Sequence, residues 1–196
     1  MSAIDDLLAN CDDYADSFDL RDLPAAPRRR VAVVTCMDAR LIPSRIFGLR
    51  EGDAHIIRNA GGSAREALRS LVISQRLLGT REVALVKHTD CGMLGLSNRQ
   101  LRDLIRRDLA ADAGGMDFLP FAGLEEAVRD DVRFLASSPL IGDDVVVRGF
   151  VYDVACGRVC ELDCSPGGAL GASPRRARAR PRRRRIRASR SRRPRR

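Results

Sequence analysis

Two short apolar runs, each stopping abruptly at residues that bind metals, constrain this chain more than anything else in it. Residues 31–40 read VAVVTCMDAR and residues 83–93 read VALVKHTDCGM. Continuous Val-rich runs of this length are expected of strands buried on both faces of a sheet. The first delivers Cys36, Asp38 and Arg40 at its carboxyl end; the second delivers His88 and Cys91. Ending side by side, they would bring two thiolates and one imidazole to one point. Zinc takes such ligands tetrahedrally, and three protein ligands leave a position open for chemistry. A closed structural site would want a fourth Cys or His, and the only other histidine is His55.

Water at an open position loses a proton near neutral pH and becomes a nucleophile. Two thiolates donate more charge than imidazoles and weaken that acidification, so a neighbouring partner helps. If the chain stays extended beyond Cys36, Asp38 faces the metal and Arg40 pairs with it. A carboxylate held by Arg stays ionised and orients the nucleophile. Alternatively, Asp38 binds the metal itself as a fourth ligand and closes the site.

The remaining pattern supplies a frame for these two ends. Residues 2–18 place Ile4, Leu7, Leu8, Cys11, Tyr14, Ala15 and Phe18 on one stripe of a helix with acidic residues toward its start; Cys11 reads as a small core residue. Residues 43–47 form a short helix closed by Gly48, and 54–57 a strand followed by the RNAGG turn of 58–62. Ser63 opens a long helix to residue 78, with Glu66 at capping-box spacing. Further helices are expected over 96–111 and 123–136, and the last convincing strand over 145–154. Strands alternating with helices through short loops predict an α/β fold. It has a central, mostly parallel sheet flanked by helices, with an N-terminal helical arm.

Charge divides the chain. The formal net charge is +9, yet residues 173–196 contain 14 Arg and no acidic residue; the other 21 basic residues face 26 acidic ones. The body is therefore mildly acidic. No apolar run approaches the roughly 20 residues of a membrane span, and the acidic N-terminus lacks the order of an export signal. A cytoplasmic protein without membrane contact is expected, and six cysteines in that setting do not read as a disulfide framework. Cys156, Cys160 and Cys164 lack a companion histidine and read as no metal site.

Cys36-x-Asp38-x-Arg40 with His88-x-x-Cys91-Gly92 resembles the β-class carbonic anhydrases. The resemblance continues through GLREGDAHIIRNAGG at 48–62, AREALRSLVISQRLLGTREV at 64–83 and GFVYDV at 149–154. It covers roughly residues 2–160, here taken as one domain, and suits the shorter bacterial and archaeal group. Plant-like members carry Gln where this chain has Pro27 and an aromatic near His55. The resemblance implies one zinc ion per subunit on Cys36, His88 and Cys91, with Asp38 and Arg40 as the catalytic gating pair. It implies reversible hydration of CO2 to bicarbonate and a proton via zinc-bound hydroxide. It also implies a homodimer or higher homo-oligomer, with the N-terminal helix reaching over the partner. Close relatives of this fold hydrolyse carbonyl sulfide or carbon disulfide, which is the alternative chemistry. His55 reads as a strand-edge residue rather than a proton carrier, and Lys87 and Thr89 as pocket wall.

From about residue 163 the text becomes Arg, Pro, Ala and Ser without periodicity, which predicts a disordered tail over 163–196. A real tail of this kind would bind nucleic acid only non-specifically, because no aromatics are interleaved for stacking; a silent zinc protein working through that tail is the reading from another class. Codons rich in G and C yield mainly these residues, so the tail is read as a frame-shifted end. The intact mass of the protein from its native host is then expected to lack the Arg-rich segment, and a mass that includes it removes the idea.

Overall fold

The computed structural model describes residues 2–164. Five strands form one sheet in the order β2-β1-β3-β4-β5: β1 Val31–Cys36, β2 Ala54–Asn59, β3 Glu82–His88, β4 Val146–Asp153 and β5 Arg158–Leu162. All neighbours are parallel except β4 and β5, which form an antiparallel hairpin. The expected mostly parallel α/β architecture is the one observed.

One face of the sheet is covered by two helices, α4 Ala64–Leu78 and α6 Leu124–Ala136. Ala32, Val34, Val83 and Leu85 project from the strands into Ala67, Leu71, Val132 and Leu135, which form the main core. That composition is aliphatic, as a chain without Trp and with 4% aromatics requires. Between β1 and α4 lie α3 Pro43–Phe47, ended by Gly48 at φ +62°, and a 3-10 turn at Ala60–Gly62. A further helix, α5 Asn98–Leu109, opens on a full capping box between Ser97 and Gln100 and has no buried residue.

Chain order fixes where a site can form. From β1 the chain moves to β2 on one side, then returns across β1 to β3 on the other. The crevice outside the carboxyl ends of β1 and β3 is thus the topological switch point, where open α/β sheets place their ligands.

Four local expectations are corrected. The N-terminal helix is two short ones, α1 Ala3–Leu8 and α2 Cys11–Asp16. At the break, the Asn10 side chain donates to the Asp6 carbonyl and its N–H to the Leu7 carbonyl, local bonds that compete with the regular ladder. Neither helix buries a residue, so Cys11 is exposed rather than core. Ser63 caps α4 through Glu66 N, but its own N–H is taken by Asn59 Oδ1 at 2.6 Å, leaving no reciprocal box. Strands do not stop at Asp153: β5 follows, turned by Gly157 at φ +70°. Of the residues expected to form a tail, 165–196 lie outside the described ones.

Candidate metal centre

The parallel register of β1 and β3 sets Thr35 opposite Val86, so Cys36 and His88 leave adjacent strands at the same edge. The turn after β3, with Asp90 at φ +56°, brings Cys91 back to them. The Cys36 and Cys91 sulfurs and a His88 ring nitrogen lie within 4.8 Å of one another, all three residues buried. This is the one such metal-competent group among the described residues.

The donor set fits a metal ion. His88 Nδ1 faces the Thr89 carbonyl at 2.8 Å and therefore carries the proton, which leaves the Nε2 lone pair free. Nε2 is buried without a hydrogen-bond partner, and a buried orphan of this kind needs an explanation; a cation between the sulfurs is one. Burial pushes the Cys91 thiol up, with the Cys36 sulfur adding to the effect and the Met93 N–H opposing it. A coordinating cation reverses that balance and deprotonates the thiols.

Asp38 stands beside the cluster, its Oδ2 3.8 Å from His88 Nε2. Arg40 grips it with both prongs, Nε to Oδ1 at 3.0 Å and Nη2 to Oδ2 at 2.7 Å, and the Arg40 N–H adds a third bond to Oδ1. The backbone reaches this pairing by a turn, Leu41 N–H to the Asp38 carbonyl, and not by the extended run expected from the sequence. Those Arg40 bonds hold the Asp38 carboxyl well below the usual carboxylate range. Because the folded-state pKa is depressed, the pair's stabilisation is complete above the ordinary carboxylate pKa and is lost only as pH falls into strong acid.

A brace lies behind the ligands. Lys87, buried on the opposite face of β3 from His88, donates to the Gly61 carbonyl at 3.0 Å and pairs with Asp131 of α6 at 2.9 Å. Asp131 also accepts from Ala64 N at the start of α4. Gly62, at φ +63°, packs its backbone against Cys36: an added Cβ would stand 3.0 Å from Cys36 N, so only glycine fits there. Arg58 donates to the carbonyls of Cys36 and Asp38. Thr89 is tied to the end of β4 and the residue after it, through the Tyr152 carbonyl and Val154 N.

His55 pairs with Ala32 in register, four residues before the Asn59 that sits beside Cys36. Its ring nitrogens meet Ser74 Oγ and the Ala25 carbonyl, so it does not join the site. Cys156 and Cys160 are exposed and Cys164 packs near Gly149. The sequence reading assigned no role to Arg58, Asp90 or Asp131. RNAGG and HTDCG contained signals for the first two; Asp131, some 40 residues from the ligands on a helix, offered none.

Residues 31–159 match the family model described as carbonic anhydrase. Beta-carbonic anhydrase 1 of Mycobacterium tuberculosis is 43% identical over 164 residues, covering 83% of this chain and 99% of its own. The crystal structure of carbonic anhydrase from Streptococcus mutans matches with a TM-score of 0.79 at 47% identity, covering 83% of this chain and 99% of that one. A carbon disulfide hydrolase from Acidianus is 32% identical, covering 80% of this chain and 87% of its own. The chain belongs to the β-class carbonic anhydrase family.

Removing the Asp131 carboxylate strands a buried ammonium. Asp131→Ala is expected to cost about 3–5 kcal/mol by urea unfolding, with the double replacement Lys87→Met and Asp131→Leu recovering most of it. Equal losses in both variants would show that the ion pair is not what matters.

Proposed function

We propose that the chain is a zinc enzyme of the cytoplasm catalysing reversible hydration of CO2 to bicarbonate and a proton. Cys36, His88 and Cys91 hold the metal, and Asp38 and Arg40 serve catalysis. The observation that carries this reading is the orphaned His88 Nε2, facing two buried sulfurs beside a carboxylate already clamped by Arg40. Zinc bound there supplies a Lewis acid that brings the pKa of water toward neutrality.

Each nearby residue then has a defined task. Asp38, kept ionised by Arg40, accepts the hydrogen bond of the attacking oxygen and turns its lone pair toward the carbon of CO2. With both carboxylate oxygens on Arg40, the arrangement favours the open position over Asp38 acting as fourth ligand. Leu41, Ile46, Leu94 and Phe121 pack around the two cysteines, giving apolar walls that suit a small uncharged linear molecule. The bond from His88 Nδ1–H to the Thr89 carbonyl fixes which nitrogen faces the metal.

All six cysteines are free, as a reducing compartment requires. No helix among the described residues is long and apolar enough to cross a membrane. We take residues 1–160 as the catalytic domain and 163–196 as an Arg/Pro-rich tail outside it. The working form is a homodimer or higher homo-oligomer. Ile4, Leu7, Leu8 and Tyr14 are each at least 60% exposed. A groove of about 390 Å³ on the other sheet face, lined by Val31, Val33, Val146 and Phe150, suits the apolar stripe of such an arm. Deleting residues 2–18 is expected to shift the sedimentation mass of the protein toward that of a monomer; an unchanged mass rejects the arm as the contact.

A second substrate reading rests on the carbon disulfide hydrolase relative, since CS2 and COS share the linear shape of CO2. Stopped-flow measurement on zinc-loaded protein is expected to show CO2 hydration well above background at alkaline pH. Cys36→Ser is expected to lose most of that rate together with the metal. No rate above background, with Cys36→Ser no worse, rejects the hydration reading, and sulfide release from CS2 in its place would select the alternative.

A further inference from the structure

Arg40 grips more than Asp38. Its Nη1 donates to Asp90 Oδ2 at 2.7 Å, and Nη2 donates to the Asp90 carbonyl at 2.9 Å. Asp90 stands between His88 and Cys91 in the turn that carries both, with its backbone in the left-handed region at φ +56°. That conformation presents a carboxylate and a carbonyl of one residue to the same guanidinium. We infer that Asp90 is a positioning residue: it anchors Arg40, and so sets how firmly Asp38 is kept off the Cys36–His88–Cys91 cluster. The inference rests on the metal reading above and adds a third member to the Asp38–Arg40 pair.

The geometry makes this a matter of balance. Asp38 Oδ2 is 3.8 Å from His88 Nε2, so a small rotation carries the carboxylate into the cluster as a fourth donor. Arg40 opposes that rotation, but its side chain is 47% exposed and has many rotamers to lose. Two acceptors on a second loop orient its planar fork before it meets Asp38. The same bonds span the loop after β1 and the turn after β3, so separating those loops loosens the grip on Asp38. Asp90 is itself 77% exposed, and an exposed pair of this kind shifts an equilibrium by about two- to five-fold. Asp90 therefore tunes the position of Asp38 and does not decide it alone.

Cobalt(II) in place of zinc gives a visible readout independent of turnover, because its bands change when a carboxylate becomes the fourth ligand. Asp38→Ala supplies the reference spectrum without that ligand, and Arg40→Ala the reference with Asp38 released. Asp90→Gly removes the carboxylate at a backbone position glycine adopts freely; Asp90→Asn keeps an acceptor there and tolerates the left-handed region. In full-length cobalt protein, Asp90→Gly is expected to raise the ratio of Asp38-ligated to Asp38-free metal about two- to five-fold. Asp90→Asn is expected to restore most of the original ratio. In the Asp38→Ala background, Asp90→Gly is expected to leave the spectrum unchanged, which a merely structural role of the turn would not do. An unchanged ratio in Asp90→Gly, or an equal spectral change in the Asp38→Ala background, overturns the inference alone. Absence of thiolate-to-cobalt absorption in the parent protein overturns the metal reading and this inference with it.

Discussion

Cys36 and His88 can meet because β1 and β3 run parallel, side by side, with their carboxyl ends level. Shifting that register by one residue would turn His88 to the opposite face, toward the helices, and would bring Lys87 to the metal side. The pairing is held from behind at this very edge. Lys87 reaches through the helical face to the Gly61 carbonyl and Asp131, joining β3, the RNAGG turn and α6. Gly62 then lies directly against the Cys36 backbone. The ligand positions are consequences of a packed and bonded edge rather than of the ligand residues themselves.

Two kinds of electrostatics coexist here. Behind the ligands the charges are buried, so the Lys87–Asp131 pair is strong only as a complete pair and costly when broken. In front, Asp38, Arg40 and Asp90 are partly or largely exposed. Their bonds are geometrically specific, with a two-pronged grip on Asp38, but each is worth little in water. The brace is therefore costly to break, while each bond of the front group costs little to exchange for water.

Much of this was legible in the sequence. The Val-rich runs gave the buried parallel strands, and the polar residues at their ends gave the three candidate donors, since strand ends of an α/β sheet converge by topology. Where the reading failed, side-chain bonds or packing that apolar periodicity does not report had decided. The Asn10 break in the arm is a side-chain bond that periodicity does not reveal. The missing capping box at Ser63 follows from Asn59, which took the Ser63 N–H first. Cys11 looked like core because helical spacing reports an apolar face, and says nothing about whether the same chain covers it. Asp131 was invisible because its partner lies 44 residues earlier in the chain, on another element.

The geometry of Arg40 also distinguishes two carboxylates, Asp38 on the loop after β1 and Asp90 in the turn bearing His88 and Cys91. Asp90 is closer to the ligands in sequence, yet its left-handed backbone points its carboxylate to Arg40. Asp38 sits on a separate loop, two residues beyond Cys36, with Oδ2 bonded to Arg40 Nη2 and standing 3.8 Å from His88 Nε2. Arg40, bonded to both loops at once, is the residue through which the position of one is felt by the other.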